Sequence, residues 1–478
     1  MAKTKEPAKA EERTLTTNKI GIKEGLGYMA GDAGNLFVLT YVSSFLKIFY
    51  TDVLKIDMNR AKNVFLFPRL WDAINDPIWG ALVARWPARK DGKFRPYIKW
   101  IAVPLSLSQI VCFFNVGSFT QSETLKLVFA YVTYILFGML YTGINVPFGS
   151  LASRITDDPD GRTLLSTFRT IGGGIGGAAP LLIAPLLIYS KVSDGQGGTY
   201  NVANGKGMFL FALVMGGCSI LFYFLCYANT KERVHAEETA KADMKGTYRA
   251  MFKSRPFIIL ALTGILISGQ LQFTSLNQYL YKNYFCNTNL SILGTIAQYA
   301  PMVVMIPITP MLVRRFGKKE ISTVGAFLSA AAAVLTAVLR PEPSNAGLYI
   351  FLLFVIGFGY SFVSITNWAV VTDVIDFQQY TTGEHAESAI YAVYTFCRKL
   401  GQTAADSGGM KLLSKAGYTE SMANAGFVAS VSPRILTVCT VIPAITYSLI
   451  FLLYVLFPLT KKKMAPVYEA VHKQNTEQ

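Results

Sequence analysis

The stretch Arg69-Leu70-Trp71-Asp72-Ala73-Ile74-Asn75-Asp76-Pro77-Ile78-Trp79-Gly80 lies between the apolar runs VFLF and ALVA. Two carboxylates and an amide stand where apolar side chains are expected, and a charge at mid-membrane costs about 2.5–3.5 kcal/mol on the mildest insertion scale. On a helix Asp72 and Asp76 are four residues apart with Asn75 beside them, so the three oxygen-bearing side chains share one face. Like charges at that spacing repel unless a cation sits between them. Hard oxygen ligands suit Na+ or H3O+, and a proton shared by the pair serves equally. The plainer alternative is a buried ion pair between Asp72 and Arg69, three residues earlier, which leaves Asp76 without a partner. Pro77 removes a backbone hydrogen bond and frees a carbonyl close by.

Around this stretch the composition is that of an all-α integral membrane protein. Of 478 residues 52% are hydrophobic and 15% charged, with 32 Phe and 25 Tyr, which a single soluble core would not require. Apolar segments of spanning length, roughly 20 residues, recur from Tyr28–Phe49 to Met208–Tyr227 and again from Ile258–Tyr281 to Leu436–Phe457. Twelve are counted, giving two six-helix halves. The expected division is a tail over 1–22, a first bundle over 23–228, a charged linker over 229–255, a second bundle over 256–460 and a tail over 461–478.

The net charge of +16 would suggest nucleic acid in a soluble chain, but here Lys and Arg gather on alternate loops. They crowd the N-terminal tail, the loop from Arg85 to Lys99, the linker, Arg314 to Lys319 and Lys461 to Lys463. By the positive-inside rule those loops and both termini are cytoplasmic, in a multi-pass protein of the cell membrane whose surroundings are lipid, with no nucleic-acid partner. The first residues carry no apolar leader, so no cleavable signal peptide is expected. Six cysteines without CxxC spacing and three scattered histidines suggest packing and no metal site beyond a Na+ taken up as coupling ion.

No GxxxxGK[ST] loop is present, so uphill movement would have to draw on an ion gradient. Gly172 to Gly177 formally contains GxGxxG, yet it lies inside an apolar span and follows no strand. Gly172 with Gly176 and Gly173 with Gly177 instead let two helices approach closely. No base or nucleophile stands beside a cofactor motif, so an enzyme is not expected.

The basic loop after the second span has a weaker echo after the eighth, Arg314-Arg315-Phe316-Gly317-Lys318-Lys319, as parallel repeats would leave. Twelve spans with that echo resemble the major facilitator architecture. YTDV at Tyr50–Val53, RLWDAINDPIWG with GKFRP at Gly92–Pro96, TYILFGMLYT at Thr133–Thr142, NVPFGSL at Asn145–Leu151 and DVIDFQQYTTG at Asp373–Gly383 carry a closer resemblance. The chain resembles the glycoside-pentoside-hexuronide:cation symporter family, of melibiose-permease type, from about Gly25 to Phe457.

That resemblance implies alternating-access symport of a glycoside, pentoside or hexuronide with Na+ or H+ and no other cofactor, by a chain acting as a monomer. It implies a coupling-cation site of Asp72, Asn75, Asp76 and Thr142, and a substrate cavity that includes Arg169 and Lys399. Counting back from YTDV places Asp32 and Asn35 near the family's first-helix sugar carboxylate, and Asn145 stands where a fourth-helix carboxylate would be. It also implies a cytoplasmic gate of Asp373, Asp376 and Glu387 against Arg95 and Arg162. Asp72 and Asp76 against Arg169 and Lys399 make a neutral cavity, which a bound cation turns positive by one. An anionic substrate pairing with Arg169 is one consequence, and Arg69, Asp32 and Arg398 bear on the count. A lysolipid carrier using the same cation site, or a sensor that binds sugar without accumulating it, are the alternatives.

Overall fold

The computed structural model describes residues 20–85, 91–156, 159–193, 199–233, 251–382, 387–419, 422 and 424–467. Long helices dominate. The first six are α1 (Ile22–Ile48, prolonged by the π-turn Phe49–Val53), α2 (Met58–Arg85), α3 (Arg95–Cys112), α4 (Glu123–Ile155), α5 (Pro159–Leu187) and α6 (Gly205–Asn229). The next six are α7 (Arg255–Phe273), α8 (Leu290–Phe316), α9 (Lys318–Leu339), α10 (Ala346–Thr382), α11 (Glu387–Lys415) and α12 (Ser432–Leu456). α7 runs on through the turn Thr274–Leu276 into a helical segment, Asn277–Asn283.

Among the described residues, 9 of these helices are long and apolar enough to cross a membrane. α2, α3 and α11 fall outside that set. α2 and α11 carry several ionisable residues each, and α3 is short at 18 residues with Arg95 and Lys99 in its first turns. Each packs on helices that qualify: α2 on α4, α3 on α4 and α6, and α11 on α7.

The packing repeats itself. α1 lies on α5 and α6, α3 on α4 and α6, and α2 on α4; correspondingly α7 lies on α11 and α12, α9 on α10 and α12, and α8 on α10. Adding six to each helix number turns the first pattern into the second. The two halves meet where α2 packs on α11 and α5 on α8, a pair of contacts that exchange under the same operation. This is the signature of parallel repeats about an axis along the membrane normal.

The repeat extends to backbone detail. Gly92 and Gly317, just before α3 and α9, adopt φ of 111° and 110°, a region that favours glycine. Behind each stands a glutamate: Glu232 accepts from the N–H groups of Lys93, Phe94 and Arg95 at 2.7–2.8 Å, and Glu320 lies against Gly317. Glu232 thereby satisfies the free donors at the start of α3. The echo of one basic loop in the other is thus a shared turn.

Close approach of backbones sets the crossing of α1 with α5. A Cβ on Gly172 would enter the Met29 carbonyl, and one on Gly176 the Ala33 backbone. In the second half Gly401 of α11 stands against the Ile265 carbonyl of α7 in the same manner. The small-residue spacing expected to allow such contact does so. Gly172→Val should lower thermal stability by about 1–3 kcal/mol through overpacking. Gly174→Ala, where a Cβ meets nothing, should not; equal loss in both would contradict the contact.

One departure from an all-helical chain is the hairpin of β1 (Tyr189–Ser193) and β2 (Thr199–Ala203), which pair antiparallel from Tyr189 with Ala203 to Ser193 with Thr199. It sits at the face where α1, α5 and α7 finish, here the far face; the near face is where they begin.

Candidate functional site

The α1–α5 crossing builds the first cluster. With Gly172 and Gly176 against Met29 and Ala33, Asp32 is pressed toward Gly173, and Arg169 Nε donates to Asp32 Oδ1 at 3.2 Å. The guanidinium lies over the Phe148 ring at 5.4 Å, and Phe148 stacks on Tyr28 with centroids 4.8 Å apart. One turn along α1, Asn35 Nδ2 donates to Tyr141 Oη and Asn145 Oδ1, both at 3.2 Å, while Tyr223 Oη donates to Asn35 Oδ1 at 2.9 Å. Four of the expected substrate residues therefore stand in two neighbouring clusters one turn apart along α1, Asp32 with Arg169 of α5 and Asn35 with Asn145 of α4. Tyr28, Tyr141, Phe148 and Tyr223 complete them and had not been singled out in the sequence. The Arg169 side chain is 40% exposed, against 11% for Asp32, so the basic end of the pair is the accessible one. Lys399 stands half-buried on α11 in the other half.

α2 is continuous through residues 72–76 and past Pro77, so the four-residue spacing of Asp72 and Asp76 is a helical one. Their side chains, with Arg69, lie outside the described residues. Asn75 is described: it is 4% exposed, and among the described residues its buried Nδ2 has no hydrogen-bond partner. Such a polar group is costly unless something fills the space beside it. Thr142, also 4% exposed, is on α4, whose Gly143 lies against Trp79 of α2. That contact brings the Asn75 and Thr142 turns to neighbouring levels.

A second set of charges, unremarked in the sequence, joins the halves at the far face. Lys47 of α1 pairs with Asp406 of α11, both at most 2% exposed. Lys47 Nζ also donates to Ser275 Oγ at 2.5 Å, and Gln272 Nε2 to Asp406 Oδ1 at 2.9 Å. Beyond it Asp52 pairs with Lys282, both fully buried. Asp52 Oδ1 accepts from Tyr418 Oη at 2.9 Å and from Thr51 Oγ1 at 2.8 Å. Burial, and then the Asp52 charge, push the Tyr418 phenol well above its ordinary range, so it keeps the proton it donates. Asp52 belongs to the YTDV motif, which here joins the first half to the second. Lys55 to Asn424 Oδ1 (3.3 Å) and Asn201 to the Cys286 carbonyl (3.1 Å) add further links on the same face.

At the near face two expected gate residues, Arg95 and Asp373, have described partners within their own halves. Arg95, expected in a gate, donates to the carbonyls of Tyr227 at 2.7 Å and Asp91 at 3.2 Å and lies over the Tyr227 ring. Asp373 pairs with Lys318 of α9, so the structure does not bring Arg95 to it. Asp376 is half-buried one turn further along α10. The side chains of Arg162 and Glu387 lie outside the described residues.

Comparisons with known proteins bear on the family and the fold. Residues 27–461 match the family model described as MFS/sugar transport protein. The isoprimeverose transporter of Lactiplantibacillus pentosus is 28% identical over 87% of this chain and 85% of its own length. The glucuronide carrier protein homolog of Escherichia coli strain K12 is 26% identical over 92% and 93% respectively. The crystal structure of a mutant of the nucleoside transporter NupG superposes with a TM-score of 0.63 over 91% of this chain and 99% of its own, at 14% identity, which speaks for the fold alone. Repeated six-helix packing and matches to transporters along nearly the whole chain converge: this chain belongs to the MFS/sugar transport protein family, consistent with its resemblance to the glycoside-pentoside-hexuronide carriers, and its role is transport.

Proposed function

We propose that this carrier moves a sugar or sugar acid together with Na+ or H+, using the cation to neutralise Asp72 and Asp76. The observation that carries the reading is the pair of polar clusters one turn apart on α1, Asp32 with Arg169 and Asn35 with Asn145, Tyr141 and Tyr223. A hydroxyl-rich solute exchanges hydrogen bonds readily with such clusters, which an apolar solute leaves unpaired. The cation site adds Asn75 and Thr142 as neutral oxygens. Lys399 faces the same task from the other half. No other cofactor is needed, and one chain supplies every group named.

The far-face pairs supply the moving part. The chain sits in the cell membrane with both termini cytoplasmic, so the far face is external and is held shut by Lys47 with Asp406 and Asp52 with Lys282. Opening outward breaks those pairs; closing inward lets Asp373, Asp376 and Glu387 meet Arg95 and Arg162 across the near face. Alternation between these two closures carries the solute across.

Coupling makes a definite demand on equilibrium binding. If the cation raises sugar affinity, the sugar raises cation affinity by the same factor, commonly about 5–150-fold. Titrating purified protein with a glucuronide and with a neutral glycoside, at several Na+ concentrations and pH values, reads this directly. Affinity rising with one of the two ions supports symport. Binding of sugar that responds to neither ion leaves a sensor or uniporter as the better reading.

A further inference from the structure

Four basic side chains of the spans meet a carboxylate: Lys47 with Asp406, Arg169 with Asp32, Lys282 with Asp52, and Lys318 with Asp373. Arg398 of α11 does not. Among the described residues its partners are neutral: Nε donates to Ser268 Oγ of α7 at 2.9 Å, and the guanidinium carbon lies over the Trp368 ring of α10 at 5.1 Å. Trp368 is fixed in turn, edge-on to Tyr394 with centroids 5.7 Å apart, and Tyr394 Oη donates to Asn367 Oδ1 at 2.8 Å.

This side chain does not face lipid. Phe396 and Leu400 are 45% and 36% exposed and mark the outer surface of α11. Arg398 lies two residues from each, some 200° around the helix, on the opposite side. It is half-buried, and its open part must reach water, since a guanidinium among acyl chains is strongly disfavoured. The convergence of α7, α10 and α11 thus presents a fixed positive charge to the space between the halves. With Nε held by Ser268 and one face on Trp368, the two terminal nitrogens remain for a ligand, in the fork that suits a carboxylate.

We infer that Arg398, held by Ser268 and Trp368, is the seat for the negative charge of an acidic sugar, a hexuronide in chemical class. This rests on the proposed sugar symport and refines it. Arg169 is the rival, but it is already neutralised by Asp32, so an anion there would first have to displace that carboxylate. Arg398 carries a charge that no described protein group balances, and a sugar carboxylate balances it. Of the two arginines, the one in the second half is therefore the discriminating residue.

The test is binding of methyl β-glucuronide and methyl β-glucoside to the purified full chain by calorimetry, in the wild type, Arg398→Gln, Arg398→Lys and Arg60→Gln. Arg60 pairs with Glu123 at the exposed far face and serves as control. The wild type and Arg60→Gln should favour the uronide about tenfold or more, as a charge-assisted bidentate pair allows. Arg398→Gln should bring the ratio near one, and Arg398→Lys should restore part of it. A ratio in Arg398→Gln equal to that of the wild type would overturn the assignment, as would equal affinities in the wild type. In the latter case sugar recognition itself still stands. Failure of the wild type to bind either sugar would remove the sugar reading and this seat together.

Discussion

Asp76→Asn is expected to abolish uphill accumulation of sugar in proteoliposomes while leaving equilibration down a sugar gradient. In the proposed mechanism two carboxylates one helical turn apart on α2 repel each other until a cation arrives between them. Removing one charge weakens the attraction for a cation about 4 Å away by about 4 kcal/mol at an effective dielectric of 20. That is some three orders of magnitude in affinity, enough to empty the site at ordinary ion concentrations. Retained downhill flux shows that the variant folds and still alternates. Uphill accumulation by Asp76→Asn within twofold of the wild type would show that the pair is a structural feature of α2.

The second large effect concerns closure. Lys47→Met leaves Asp406 buried without its ammonium, and breaking a buried pair in this way costs about 3–5 kcal/mol. The loss falls on the far-closed state alone, because opening lets Asp406 reach water. The conformational equilibrium should therefore move toward far-open by about a hundredfold or more. Probes on Val192 of the hairpin and Leu293 of α8, both exposed on the far face and in opposite halves, should separate in Lys47→Met. Lys47→Met with Asp406→Leu, which replaces the pair by apolar side chains, should bring them back together. Unchanged distances in the single variant would mean that Asp52 with Lys282 closes the face unaided.

What the sequence revealed was what lies close along the chain. The α2 stretch could be read because its three polar side chains recur at helical spacing within one apolar segment. Gly172 and Gly176 announced a close helix crossing for the same reason, and the echo of one basic loop in the other pointed to a repeat. The far-face pairs could not be read in this way. Asp52 and Lys282 are 230 residues apart, and Tyr418 reaches Asp52 across 366. Each charge in FLKIF, LYKNYF and AADSG was a visible exception in an apolar or small-residue run, but nothing local names its partner. The hairpin after α5 was passed over because its strands are short, at 5 residues each. Arg95 is set against the acidic end of α10 by resemblance only in the state closed at the near face; here, with the far face joined, its guanidinium lies at the end of α6. α2 and α11, the helices richest in charge, carry Asp72, Asn75 and Asp76 of the expected cation site, and Lys399, Arg398 and Asp406.

The most direct test of cation-coupled sugar symport is uptake of a labelled glucuronide and a labelled neutral glycoside by proteoliposomes under an imposed Na+ gradient, a pH gradient, or neither. Accumulation above the external concentration under one of the two gradients, lost when that gradient is collapsed, is the expected result. Simple equilibration of a bound sugar under all three conditions would contradict coupling and leave the carboxylates of α2 without the role assigned to them.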